Sequence, residues 1–97
     1  MTEPSVGAVP IRVRVVASGR VQGVWFRDSC REHARAEHVA GWVRNRGDGA
    51  VEAEFEGPQS SVDRLVAWFG TGPPRARVDS TDVTVVPPNG DRRFRIL

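Results

Sequence analysis

The sequence predicts an α+β fold in which two helices cover one face of a mainly antiparallel sheet. Three observations carry that expectation. Segments of period-2 alternation and segments of helical spacing follow one another as β-α-β-β-α-β, with a short further strand at the end. Glycine- and proline-containing breaks separate them. The length of 97 residues is too short for two domains and sufficient for one with an adequate core.

Residues 1–10 contain Pro4, Gly7 and Pro10 without apolar periodicity, so a flexible N-terminal tail is expected there and a single domain over 11–97. Ile11, Val13, Val15 and Ala17 then alternate with Arg12, Arg14, Val16 and Ser18, the pattern of a half-buried strand. After a two-glycine loop, Phe26, Cys30 and Ala34 recur at i, i+4, i+8 opposite Asp28, Arg31, Glu32 and Arg35, which predicts a helix over about 25–38. Residues 39–46 are rich in strand formers. Past Gly47-Asp48-Gly49, Val51, Ala53 and Phe55 alternate with Glu52, Glu54 and Glu56, so a hairpin with a tight Asp-Gly turn is expected, its carboxylates on the solvated side. Gly57-Pro58 ends that strand. Ser60 with Asp63 resembles a capping box, and Val62, Leu65, Val66 and Phe69 form the stripe of a second helix over about 59–69 that stops at Gly70. Gly72-Pro73-Pro74 is a rigid connector, residues 76–86 read as extended, Pro87-Pro88-Asn89-Gly90 turns, and 93–97 alternate again. This order is the ferredoxin-like split βαβ sandwich, βαββαβ plus a short C-terminal strand. That fold carries many unrelated activities, so function must be read from particular residues.

Composition narrows the classes. With 39% apolar and 27% charged residues the chain is in the globular range, and its longest apolar run, the five residues 65–69, is far below the roughly 20 that cross a bilayer. The opening residues carry Glu3 and no apolar core of a signal peptide, so a cytoplasmic location is expected. The single Cys30 excludes an internal disulfide and a thiolate metal cage. Fourteen cations, all arginine, oppose 12 acids, which gives a net charge of +2 and no general field for polyanions. Their distribution is uneven. Residues 1–49 hold eight arginines against five acids, whereas 50–74 hold four acids and only Arg64, so an anion site belongs in the first half.

Two stretches there carry chemistry. Gly19-Arg20-Val21-Gln22-Gly23-Val24-Trp25-Phe26-Arg27 joins a strand to a helix through two glycines and places an arginine in the first helical turn. Such a loop lets successive N–H groups converge, the helix start adds unpaired donors and partial positive charge, and Arg27 can close a fork on two phosphate oxygens. A phosphoryl group is the natural ligand of such a loop, although the same glycine spacing also fits an ordinary strand-to-helix connection with an exposed arginine. Further on, Asn45 stands at a strand end just before the turn, where an asparagine is otherwise an ordinary turn residue. Its amide both donates and accepts, as a group that holds a water in line with phosphorus must.

Together, the G-x-V-Q-G-V-x-F-R run at 19–27 and the G-W-V-x-N-x-x-x-G-x-V-x-x-x-x-x-G run at 41–57 resemble the signatures of the acylphosphatase family. The resemblance implies hydrolysis of a carboxylic-phosphoric mixed anhydride to a carboxylate and inorganic phosphate. It also implies that Arg27 binds phosphate, that Asn45 orients the attacking water, and that Gly19, Arg20, Val21, Gln22, Gly23 and Val24 form the substrate-binding cradle. One departure is visible: Ala17 stands where the family often has a larger aliphatic residue, a matter of packing beneath the loop.

The expected partners are a small acyl phosphate and, as site ligands, inorganic phosphate or sulfate; no nucleic acid, membrane, cofactor or metal is expected, and the chain is expected to be a monomer. His33 and His38, five apart, do not share a helix face as ligands and are expected at the surface or its boundary. Cys30 is expected in the core, as are Trp42 and Phe69, whereas Trp25 and Trp68 fall off the apolar stripes and Arg44 and Arg46 read as solvated. An RNA-recognition module shares this topology, but it reads bases with aromatic residues on its sheet face. Here that face carries Glu52, Glu54 and Glu56, which repel phosphate.

Overall fold

Alternation in the first strand sets the architecture, because its two faces meet different partners. In the computed structural model, which describes residues 9–97, the elements are β1 (Ile11–Arg20), α1 (Phe26–Ala36), β2 (Ala40–Asn45), β3 (Val51–Gly57), α2 (Gln59–Phe69), β4 (Arg77–Val86) and β5 (Phe94–Ile96). The tail expected at 1–10 lies outside the described residues except for Val9 and Pro10, which are exposed and belong to neither helix nor strand. The strands form one sheet in the order β4-β1-β3-β2-β5. All pairs are antiparallel except β2 with β5, which run parallel. The expected ferredoxin-like α+β arrangement is therefore present, with a sheet that is mixed at one edge.

Val13, Val15 and Ala17 lie opposite Phe55, Ala53 and Val51, and Val43 pairs with Ala53. This face is covered by both helices, through Phe26, Cys30 and Ala34 of α1 and Val62, Leu65 and Phe69 of α2. Phe55 is its centre, with ring centroids 5.7 Å from both Phe69 and Phe94. Each such fully buried side chain contributes roughly 1.5–3 kcal/mol. The 3.6 spacing thus found its sheet. Three local expectations were not met. α1 is shorter than 25–38, since Trp25 is its left-handed N-cap and Glu37 its C-cap. The box of Ser60 and Asp63 does not form, because α2 starts at Gln59 behind Pro58 and puts Ser60 inside the helix. Trp42 is only half-buried: it shares the outer face with Arg44, whose guanidinium carbon stands 5.8 Å from the ring centroid.

The outer face also corrects the reading of the glutamates as solvated. Glu52, Glu54 and Glu56 are buried, at 7%, 8% and 5% exposure, under arginines from the neighbouring strands. Arg12, itself 2% exposed, donates from Nε to Glu54 at 2.6 Å and from Nη1 to Glu56 at 2.8 Å and Asp91 at 3.0 Å. Arg14 donates to Glu54 at 3.0 Å, and Arg44 donates to Glu52 at 2.7 Å. Alternation revealed which way the carboxylates face, not what lies over them. The face holds neutralised ion pairs in place of free negative charge.

Burial alone would raise the Glu56 pKa, but the N–H groups of Asn89 and Gly90 and the Arg12 guanidinium outweigh it and hold the carboxyl below its usual range. With the folded value below the unfolded one, the carboxylate adds stability above the unfolded pKa of about 4.3 and loses it as pH falls through the folded value. Glu56→Gln is therefore expected to cost about 3 kcal/mol near pH 7, and the gap to the parent narrows in acid. Urea midpoints at pH 7 and pH 3 measure this; a gap that does not change with pH would contradict it.

Candidate active site

The loop from β1 to α1 is shaped by the way β1 ends. Ser18 still pairs with Ser80, but Gly19 pairs with Val78, so Asp79 is extra and the edge bulges. Gly19 sits at φ 129° against β4, where an added Cβ would collide with the carbonyl oxygen of Arg77. Past the bulge the chain leaves the sheet. Gly23 takes φ 75° and Trp25 takes φ 66° and ψ 25°, both left-handed, the second an uncommon conformation for a bulky residue. Among the described residues, none of the N–H groups of Val21, Gln22, Gly23, Val24 and Trp25 donates to a protein oxygen. The N-terminus of α1 also has no side-chain cap. A run of unspent donors therefore leads directly into the positive end of a helix dipole.

Arg27, in the first turn of α1, is half-buried and makes no ion pair or hydrogen bond among the described residues. Asn45 is the last residue of β2, on the helix side of the sheet opposite Val51. Both line one cleft of about 630 Å³, together with Val21 and Gly23 of the loop. The cleft is completed by Trp25, Phe26, Asp28, Arg75 and Ile96. Of the residues expected to bind substrate, Gly19, Arg20, Gln22 and Val24 do not line it. Arg75 was missed because it lies in a connector without a motif; only the topology brings it here.

Gln22 has a different task. Its Nε2 donates to the carbonyl oxygens of Arg46 at 2.8 Å and Ala50 at 3.0 Å, on the two sides of the β2–β3 turn. The turn is closed by Arg46 N–H to Ala50 O at 2.8 Å and by Ala50 N–H to the Asp48 carboxylate at 3.1 Å. That N–H, with Arg46, holds the Asp48 carboxyl below its usual range. Arg44 and Arg46 keep much of their side chains in solvent, as expected, while pairing with Glu52 at 2.7 Å and Asp48 at 2.9 Å.

Other nucleophiles and ligands stand elsewhere. Cys30 is buried, which pushes its thiol pKa up, away from thiolate chemistry. His33 stacks on Trp68 with centroids 4.6 Å apart, and neither His33 nor His38 lines the cleft. Among the described residues, no three of His, Cys, Asp and Glu are grouped so as to hold a metal ion.

Loop and asparagine both fall within residues 13–96, the span over which the chain matches the family model described as Acylphosphatase. The chain belongs to the acylphosphatase family. A relative named acylphosphatase from Rubrobacter xylanophilus is 57% identical over 82 residues, which are 84% of this chain and 74% of that protein. One from Natronomonas pharaonis is 50% identical over 86 residues, 89% and 94% of the two chains. The crystal structure of acylphosphatase from Bacillus subtilis superposes with a TM-score of 0.87 at 38% identity, covering 90% of this chain and 98% of that one. An acylphosphatase from Coxiella burnetii also gives 0.87, at 34% identity, covering 91% and 93%. Acylphosphatases hydrolyse acyl phosphates, so the chain's substrate class is a small molecule with a carboxyl-phosphate bond. No helix among the described residues is long and apolar enough to cross a membrane.

If the Gln22 amide fixes the loop against the hairpin, removing it should loosen the cleft without emptying the core. Gln22→Ala is expected to lower stability by about 1 kcal/mol and to reduce kcat for benzoyl phosphate while circular dichroism stays that of the folded protein. Undiminished kcat in the folded variant would contradict that role.

Proposed function

We propose that the chain hydrolyses acyl phosphates by direct attack of an oriented water on phosphorus. The observation that carries this reading is the run of five unpaired N–H groups at 21–25 leading into the uncapped start of α1, beside an unpaired Arg27. Donors left unpaired in a cleft with an arginine suit a tetrahedral anion. The phosphoryl group sits in the cradle of residues 20–24, and Arg27 binds two of its oxygens.

Asn45 holds the water through its side-chain amide, accepting from it and leaving the oxygen lone pair toward phosphorus. The new P–O bond forms to the water oxygen as the bond from phosphorus to the acyl oxygen breaks. The acyl oxygen leaves as a carboxylate and the water's protons pass to phosphate oxygens and solvent. A carboxylate is a good leaving group, so neither its protonation nor a covalent enzyme intermediate is required. Positioning and stabilisation of charge on the equatorial oxygens carry the acceleration.

The mechanism routes no step through a metal, because Arg27 and the backbone N–H groups meet the phosphoryl charge. The protein acts as a monomer, and inorganic phosphate or sulfate occupies the same cradle.

Arg27→Ala and Asn45→Ala are each expected to lower kcat/KM for benzoyl phosphate by about 100-fold or more with the fold intact. Arg27→Lys should fail as well, because an ammonium does not reproduce the two-pronged contact. Substantial turnover by folded Arg27→Ala would overturn the mechanism.

Guanidinium, amide and backbone groups do not titrate between about pH 5 and 8. Activity is therefore expected to survive EDTA and to vary gently over that range, following the substrate's own phosphate ionisation. Initial rates with and without chelator at several pH values check this, with inorganic phosphate expected as a competitive inhibitor. Activity lost to EDTA and restored by Mg²⁺ or Zn²⁺, or purely noncompetitive inhibition by phosphate, would count against it.

A further inference from the structure

The cleft of about 630 Å³ is much larger than a phosphoryl group, and its remaining wall has a distinct chemistry. Trp25 is 67% exposed, so its indole offers an uncovered apolar plane at the cleft. Its left-handed backbone, uncommon for a bulky residue, fixes the point from which that side chain projects.

Arg75 comes from the connector between α2 and β4, which is held firmly. The Gly72 N–H donates to Trp68 O at 2.7 Å, and the Ala76 N–H donates to Pro73 O at 2.9 Å. Gly72 packs so closely on the Phe26 ring that an added Cβ would stand 2.7 Å from its Cε2. Phe26 is the residue before Arg27, so this contact ties the connector to the start of α1.

Among the described residues Arg75 makes no ion pair or hydrogen bond, whereas Arg77, two residues on, donates to Asp79 at 3.1 Å. The cleft also contains Asp28, whose carboxylate stands 3.4 Å from Arg31. Arg75 is thus a second uncommitted cation in the cleft, delivered by a different element from Arg27.

We infer that Trp25 and Arg75 form the acyl end of the site and select acyl phosphates whose acyl group carries a second carboxylate. This rests on the reading that the loop and Arg27 hold the phosphoryl end. With that end met by five N–H groups and Arg27, the second guanidinium is left for an anion elsewhere on the substrate, and the indole for the apolar atoms between them.

The test compares benzoyl phosphate with 4-carboxybenzoyl phosphate, whose para carboxylate adds a charge while changing the leaving group little. The unsubstituted protein is expected to favour the carboxylated substrate about fivefold in kcat/KM, chiefly through KM, with the preference shrinking as salt rises. Arg75→Ala should abolish the preference, Arg75→Lys retain part of it and Arg75→Glu reverse it. Trp25→Ala should raise KM for both aryl substrates relative to acetyl phosphate.

No preference in the unsubstituted protein would overturn the inference. So would an Arg75→Ala variant that loses both substrates by the same factor, since that outcome places Arg75 at the phosphoryl end. Failure of the underlying reading looks different: folded Arg27→Ala would then keep its benzoyl phosphate turnover.

Discussion

The two halves of the site are held in one frame by the side chain of Gln22. The loop that ends β1 and the turn that ends β2 come from strands that do not touch, since β3 lies between them. One amide nitrogen bridges the gap by donating to carbonyl oxygens on both sides of the turn. Asn45 directly precedes that turn, and Gly23 directly follows Gln22. Any shift of the loop that kept these bonds would carry the hairpin with it. The glutamine thus has a part of its own inside a run that otherwise reads as a phosphate loop: its side chain sets the spacing between the proposed cradle and the asparagine.

The rest of the sheet supports that frame from both faces. Helices cover one face with apolar side chains, and the other is closed by the ion pairs around Arg12. Buried ion pairs add little net stability, because desolvation offsets their attraction, so the apolar face carries the folding energy. What the ion pairs specify is the path of the chain. Glu56 accepts from the N–H groups of Asn89 and Gly90, and Arg12 donates to Asp91, which fixes the segment after β4 across the outer face. From there Arg93 O accepts from Gly41 N–H, and β5 enters parallel to β2. Ile96, at the end of β5, then reaches the cleft. The network on one face therefore helps build the site on the other.

Much of this was legible in the sequence for local reasons. Period-2 and 3.6 spacing report which residues share a face, so the element order, both helices and the core around Phe55 followed directly. The motif at 19–27 and Asn45 stood out together, as linked signatures resembling one family, whereas a two-glycine loop or a turn asparagine alone is ordinary structure. What was not legible depends on partners distant in sequence. Glu52, Glu54 and Glu56 alternate like solvated residues, and only the register of β3 between β1 and β2 brings arginines over them. The same register spoils the argument against RNA binding from free negative charge, although the paired face still lacks a row of exposed aromatics. Arg75 has no local signal at all, and its position depends on Gly72 packing against Phe26.

The central claim is that the phosphorus end of the anhydride lies in the cradle and is the atom attacked. Hydrolysis of benzoyl phosphate in ¹⁸O-labelled water reads this directly, by mass spectrometry of both products after a single turnover. Attack on phosphorus places the label in inorganic phosphate and leaves benzoate unlabelled. Label recovered in benzoate would mean that water attacks the carbonyl carbon, and the roles given to the loop, Arg27 and Asn45 would have to be abandoned.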